Sequence, residues 1–177
     1  MGNYSLPDTP RCILGIDPGY AIVGFGMISS SSGVRCSHIR HGAITTPAEL
    51  PLAERLRIIY ADMTSLIAER RPDAAAIEKL YFNTNTTTAI GVAQARGVIL
   101  LALAQANIPL FEYSPSEIKQ AVVGYGKAEK AQMMEMTRAL LGLPARPKPD
   151  DAADALAVAL CHAAMRTSQL NFKHQNG

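Results

Sequence analysis

Four acidic residues interrupt segments of this chain that are otherwise apolar. They are Asp17 at the end of ILGID, Glu78 within AAAIEKL, and Asp151 and Asp154 in the run DAADALAVAL. Burying an isolated carboxylate is costly, so such residues are normally neutralised, paired or bound to a metal. Two like charges about 4 Å apart repel by roughly 4 kcal/mol at an effective dielectric constant of 20, and divalent cations relieve that repulsion. The four acids therefore suggest one shared metal site.

The types of ligand indicate which metal such a site would hold. Carboxylate oxygens favour a hard cation such as Mg²⁺ or Mn²⁺, whereas Cys12, Cys36 and Cys161 lack the spacing of a zinc site. Two such ions about 3.5–4 Å apart can activate water and stabilise the leaving oxygen in phosphodiester cleavage. The implied chemistry is phosphoryl hydrolysis with two Mg²⁺ per site, for which Mn²⁺ could substitute. His162 lies well past the first helical turn, and we interpret it as structural.

The two strand acids differ in how strongly they indicate function. Asp17 precedes Pro18-Gly19, so a simple turn-forming aspartate is an equally good interpretation of that residue. Glu78 stands inside a short apolar strand of the kind that is buried in the centre of a sheet. A glutamate in that position is usually paired or functional, which favours a role in the site.

The helical acids share one face of the last helix. Asp151 and Asp154 are three residues apart, a spacing that metal-ligand pairs use. Asp150 also shares a face with Asp154, but it is the first acid after a proline and makes a natural N-cap.

The elements that position these acids follow from the hydrophobic pattern. Three strands between about Cys12 and Ile44 form an antiparallel meander, and the signature Thr46-Pro47-Ala48-Glu49 predicts the start of a long amphipathic helix. Further along, Ser114 and Glu117 form a second capping box. The predicted order is β-β-β-α-β-α-β-α-α-α, an α/β fold with a five-stranded mixed sheet and helices on both faces.

Composition limits the class of protein. The chain has 177 residues, of which 48% are hydrophobic and 18% charged, and its net charge is +2. These values are typical of one globular domain and do not by themselves indicate nucleic-acid binding. The N-terminal segment lacks the pattern of a signal peptide, and the longest apolar run is too short to span a bilayer. We expect a cytoplasmic protein with reduced thiols and no membrane contact.

Candidate substrate contacts follow the central glutamate. Tyr81 and Phe82 precede the polar segment NTNTTT, a combination that could stack on bases and hydrogen-bond phosphates. Lys119, Lys127 and Lys130 flank a GYG loop, although solvated helix charges explain three lysines almost as well.

Several motifs in the same order resemble those of one family, the RuvC Holliday-junction resolvases. The motifs are ILGIDPG, AIEKLYF, QARG, FEYSPSEIKQAVVGYGKAEK and DAADALAVAL, and the resemblance extends from about Ile13 to His162. It implies a ribonuclease-H-like fold, which we place at residues 11–166. Independently of the resemblance, we expect flexible segments at 1–10 and 167–177. The resemblance further implies an Mg²⁺-dependent endonuclease of homologous recombination and DNA repair, which nicks two strands of like polarity at a four-way DNA junction.

The resemblance also assigns roles to particular residues and partners. The catalytic and metal-binding acids of the family fall on Asp17, Glu78, Asp151 and Asp154, and its DNA contacts fall on Tyr81, Lys119 and Lys130. A homodimer is implied, because paired nicks on a two-fold symmetric junction are most simply made by two active sites related by the same symmetry. The small and apolar residues of the helix at 89–103 would suit that interface. A junction-binding protein and a branch-migration helicase are the further partners that the resemblance implies.

Two other classes of function are compatible with parts of the sequence. DPGYAIVG could be a phosphate-binding hairpin like those of the actin and Hsp70 ATPases, but those proteins enclose ATP between two such domains and this length supplies one. A catalytically silent nucleic-acid-binding module is the other alternative. The intact set of four acids argues against it.

Overall fold

The core of the structure is a mixed sheet. The computed structural model describes the backbone of residues 11–31, 35–80 and 86–175, and the side chains of these residues apart from 86–88 and 167–175. The strands are β1 (Arg11–Asp17), β2 (Ile22–Ser31), β3 (Arg35–Thr45), β4 (Ala74–Glu78) and β5 (Leu110–Tyr113). They lie in the order β3-β2-β1-β4-β5, with β1, β2 and β3 antiparallel and β4 parallel to both of its neighbours. The predicted five-stranded mixed sheet is confirmed.

Helices cover both faces of this sheet. They are α1 (Leu52–Arg70), α2 (Thr86–Gln105), α3 (Pro115–Val123), α4 (Lys130–Leu140) and α5 (Asp150–Gln175). One core cluster joins α1 and α2 to side chains such as Leu14 and Ile16, while a second joins α3, α4 and α5 to Ile13 and Ala76. Successive strand residues point to opposite faces, which is why Ile13 and Leu14 belong to different clusters. Of the described helices, none combines the length and apolar character needed to cross a bilayer.

Two strand glycines allow α5 to lie directly on the sheet. A Cβ atom added at Gly15 would overlap the carbonyl oxygen of Ala155, and one added at Gly24 would overlap that of Asp151. The backbone of α5 therefore contacts the backbone of β1 and β2 with no side chain between them. Glycine inside a strand often marks such a close approach.

The start of α1 was predicted wrongly. The helix begins at Leu52, and the preceding Pro51 makes no side-chain capping bond. Thr46 does not cap it because its hydroxyl donates to the carbonyl oxygen of Tyr20 at 2.6 Å and accepts from Nε of Arg55 at 2.8 Å. A contact between the meander and the helix has replaced the local cap.

The predicted cap of α3 is confirmed. Ser114 caps α3 as expected, because its hydroxyl accepts from the backbone N–H of Glu117 at 3.2 Å while the Glu117 carboxylate accepts from the N–H of Ser114 at 2.7 Å. Helix α5 continues to Gln175, past residue 166, which is the predicted end of the domain. Flexibility of the segments at 1–10 and 167–177 stays a prediction.

Candidate active site

The two strand acids lie side by side at one edge of the sheet. Asp17 is the last residue of β1 and Glu78 is the last residue of β4, and these neighbouring strands run parallel, with Ile16 paired to Ile77. Ile13 and Ala76 face α5, so Asp17 and Glu78, which lie an even number of residues further along, share that face.

The N-terminal part of α5 brings the two helical acids to the same edge. Gly24 is paired with Asp17 in the β1–β2 ladder, and the missing side chain of Gly24 admits the backbone of Asp151. Asp151 lies in the first turn of α5 and Asp154 follows it three residues later on the same face, so both stand over the ends of β1 and β4. We call Asp17, Glu78, Asp151 and Asp154 the acidic cluster.

The electrostatics of these carboxyl groups reflect their mutual proximity. Burial, followed by the charges of Asp154, Glu78 and Asp151, raises the pKa of Asp17 to about 7, against the opposing effect of Lys130. Burial, followed by the charge of Asp154, also raises the pKa of Glu78. The pKa of Asp154 is raised mainly by its burial, which Lys130 partly offsets. Negative charge is therefore unfavourable here unless a cation compensates it.

The chemistry of this donor set fits a hard divalent cation. Four carboxylates supply only oxygen ligands, and their crowding is the kind that such an ion relieves. As the side chains stand, however, no three acidic, histidine or cysteine residues of the described chain surround one point closely enough to hold an ion. The ammonium group of Lys130 lies 3.3 Å from Oδ2 of Asp154 and 3.6 Å from Oδ2 of Asp150. In this arrangement a lysine supplies part of the compensating charge.

Two of the three residues that the resemblance assigns to DNA binding lie beside the acidic cluster. Lys119 of α3 is close enough to Glu78 to lower the pKa of that carboxyl, although burial has the larger, opposite effect. A cleft of about 260 Å³ is lined by residues that include Glu78, Ile118, Lys119, Lys130, Met133 and Asp154. The described residues do not include Tyr81, whose role stays a prediction.

Other polar residues near the cluster have structural contacts. Asp150 is the first residue of α5 rather than the residue before it, and it pairs with Lys130 and Lys148. Lys79 points to the capping box of α3, with Nζ 3.9 Å from Oε2 of Glu117. His162 is buried and hydrogen-bonded through Nδ1 to the Tyr113 hydroxyl at 2.8 Å, which agrees with the structural role expected for it.

Sequence reasoning missed the contribution of Gly24. Its missing side chain determines how closely Asp151 can approach Asp17, although Gly24 itself carries no reactive group. A glycine inside the strand segment AIVGFG was the available signal, because a side chain normally occupies such a position. Finding its neighbour on α5 required the three-dimensional structure.

The sheet order and the carboxylates at the ends of β1 and β4 and at the start of α5 define a nuclease of the ribonuclease-H-like class. A family model described as crossover junction endodeoxyribonuclease RuvC matches residues 13–162. The chain belongs to this family.

Individual relatives support this assignment. A crossover junction endodeoxyribonuclease RuvC of Desulfitobacterium hafniense is 54% identical over 151 residues, which cover 85% of this chain and 91% of the relative. The protein of that name from Heliobacterium modesticaldum is 56% identical over 151 residues, covering 85% and 93%. Among solved structures, T. thermophilus RuvC in complex with a Holliday junction substrate is similar, with a TM-score of 0.86 and 33% identity over 90% of this chain and 96% of that one.

Proposed function

We propose that this protein resolves four-way DNA junctions by making paired symmetric nicks in strands of like polarity, during homologous recombination and DNA repair. The observation that carries the proposal is the convergence of Asp17, Glu78, Asp151 and Asp154 at one edge of the sheet. The similar T. thermophilus RuvC is described with a Holliday junction as its substrate. We assign the nuclease domain to residues 11–166, the extent that the resemblance implies, although α5 itself continues to Gln175. We assign the protein to the cytoplasm.

The acidic cluster would hold two Mg²⁺ ions, with Mn²⁺ able to substitute. Such ions, when bound, supply activation of water and stabilisation of the leaving oxygen. The chain contributes four oxygen ligands fixed on three elements, β1, β4 and α5. Because burial raises the pKa of Asp17 and Glu78, each is a poor anion without a cation nearby.

Lysines beside the cluster would hold the DNA backbone. Lys130 is half exposed and pairs with Asp154, so a phosphate group could take the place of that carboxylate once Asp154 turns to a metal ion. Lys119 also lines this cleft. We assign base stacking to Tyr81, because an aromatic ring can stack on any base.

A homodimer would present two such sites to a symmetric junction. The outer face of α2 carries Ile90 and Leu101, which are 60% and 51% exposed, and a Cβ atom added at Gly97 would meet no described atom within 4 Å. An apolar helix face with a small residue permits a second helix to pack closely. A junction-binding protein and a branch-migration helicase complete the proposed partners.

The test is cleavage of a labelled four-way junction, compared with a linear duplex of the same sequence, in Mg²⁺ and in chelator. We expect symmetric, metal-dependent nicks confined to the junction. Asp17→Asn and Glu78→Gln should each reduce cleavage by about 100-fold or more, because each removes a charge that the site needs. Junction binding should stay near the wild-type level, because the phosphate contacts remain.

Asp62→Asn provides the matched control, because Asp62 is an exposed residue of α1, on the opposite face of the sheet. It should cleave like the wild type. Tight junction binding by the wild-type protein without any cleavage would instead favour a silent binding module. Loss of binding in a folded Asp17→Asn variant would contradict the metal-ligand assignment.

A further inference from the structure

A second pocket, with both polar and apolar walls, lies on the same face of the sheet as the acidic cluster, at the opposite end. It has a volume of about 230 Å³ and is lined by residues that include Arg11, Asp73, Phe111, Tyr113, His162 and Arg166. Arg11 begins β1, whereas Asp17 ends it. Arg166 follows Asp154 by twelve residues on α5, a separation of about 18 Å along a helix. We call this the distal pocket.

The distal pocket has two guanidinium groups with unused hydrogen-bonding capacity. Within the described chain, neither Arg11 nor Arg166 has a carboxylate within ion-pair distance. Asp73 is the acid that lines the pocket, and its Oδ2 already accepts the backbone N–H of Cys12 at 2.8 Å. The pKa of Arg166 is lowered by burial and then by the charge of Arg11, an effect that Asp73 opposes. The two arginines are therefore close enough to repel each other.

One wall of the distal pocket is flat and aromatic. Phe111 is 43% exposed as a residue, and the centroid of its ring lies 4.3 Å from that of the His162 ring at an interplanar angle of 35°. Burial, followed by the charge of Arg166, lowers the pKa of His162 to about 4, so the imidazole is neutral at pH 7. The positive charge of the pocket comes from the arginines, and the exposed side of Phe111 is available to a planar group.

We propose that the distal pocket binds a phosphate monoester attached to a planar ring, a ligand the size of one nucleotide. Two guanidinium forks match phosphate oxygens in geometry, and a monoester carries about −1.5 to −2 charges at pH 7, more than a carboxylate can supply. The ring would stack on Phe111. The volume is below the roughly 300–1,000 Å³ of drug-sized sites, which favours one ring and one phosphate over a dinucleotide. The ligand is either a free mononucleotide or the 5′-phosphorylated end of a DNA strand.

Calorimetric titration of the full chain with deoxyadenosine monophosphate in chelator tests the proposal. Arg166→Gln and Arg11→Gln should each weaken binding by about tenfold or more, because each removes charge-assisted hydrogen bonds. Phe111→Leu should weaken it by roughly fivefold through lost stacking. Arg57→Gln is the matched control, because Arg57 is an exposed residue of α1, and it should bind like the wild type. Deoxyadenosine and inorganic phosphate should each bind more weakly than the complete nucleotide.

A short single strand, with and without a 5′-phosphate, distinguishes the two sources of ligand. Tighter binding of the phosphorylated strand that Arg166→Gln abolishes would assign the site to a DNA end, whereas binding of the mononucleotide alone would assign it to a free nucleotide. No binding at millimolar nucleotide, or equal binding by wild type and Arg166→Gln, would overturn the proposal. Because chelator is present and no cleavage is measured, these results are independent of the junction-cleavage test.

Discussion

The two faces of the sheet are covered by helices in physically different ways. On one face, α1 and α2 fill the space with large buried side chains, among them Ile59, Met63 and Ile99. On the other face, Gly15 and Gly24 let the backbone of α5 touch the strands directly. Side chains can adjust their rotamers when a neighbour changes, whereas two backbones in contact have no such freedom. The acidic cluster stands on the face where the backbone fixes its geometry.

A methyl group at Gly24 should break this arrangement and give the largest effect. The new Cβ atom would overlap the carbonyl oxygen of Asp151, so α5 must shift away from Asp17. A misplacement of about 1 Å can reduce a catalysed rate by about 100-fold, and overpacking typically costs about 1–3 kcal/mol of stability. We therefore expect Gly24→Ala to lower junction cleavage about 100-fold, measured per folded molecule, and to lower the free energy of unfolding by about 3 kcal/mol.

Val23→Ala is the control for that variant, because Val23 is the neighbouring residue and points to the α1 and α2 face. It should lose stability to a similar extent, since it leaves a cavity, yet retain wild-type cleavage. Equal loss of cleavage in both variants would show that stability, and not the position of α5, determines the activity.

The face covered by α5 should also make the free energy of unfolding depend on pH, because α5 carries the buried His162. Its pKa falls from an ordinary value of 6.5 to about 4, mainly through burial. Between these two values the unfolded chain binds a proton that the folded chain does not, so stability is full above pH 6.5 and is lost as the pH falls towards 4. This group should reduce the free energy of unfolding by about 3 kcal/mol at pH 4 relative to pH 7.

His162→Gln isolates this contribution, since glutamine can hydrogen-bond the Tyr113 hydroxyl but does not titrate in this range. Denaturant unfolding of both proteins from pH 7 to pH 4 gives the difference between their free energies of unfolding. The carboxylates of the acidic cluster affect both proteins equally and therefore cancel in this difference. A constant difference between the two proteins over this range would refute the assignment.

The smallest effect is expected on the face filled by side chains. Ile59→Val removes one buried methylene group from α1 and should cost about 1 kcal/mol of stability. Junction cleavage should stay within about twofold of the wild type, because neighbouring side chains can absorb the change before it reaches α5. Denaturant unfolding and the junction assay on the same preparation check both halves of this prediction. A tenfold loss of cleavage would mean that the two faces are not independent.

Local features of the fold were predicted from the sequence more successfully than features that depend on tertiary contacts. The capping box at Ser114 was predicted correctly because its bonds join residues three apart in the chain. The start of α1 was not, because Thr46 bonds Tyr20 and Arg55 instead of its own helix. The five-stranded mixed sheet with an antiparallel meander was predicted from strand patterns and from the family resemblance together, whereas the strand order came from the structure.

The candidate site shows the same division. The four acids of the cluster were found because a carboxylate in an apolar segment is conspicuous in any sequence. The ion pair of Lys130 with Asp154 joins α4 to α5, and no local pattern indicates it. The approach of Asp151 to Gly24 likewise depends on how α5 lies across the sheet.

The acidic cluster combines residues that lie far apart in the chain, so it cannot be complete until α5 has been synthesised. Asp17 is made before the other three acids, whereas Asp151 and Asp154 belong to α5, more than 130 residues further along the chain. A nascent or truncated copy that stops before α5 lacks half of the carboxylates and cannot assemble the site. An enzyme that cuts DNA is thereby without its complete acidic cluster until the ribosome has passed Asp154.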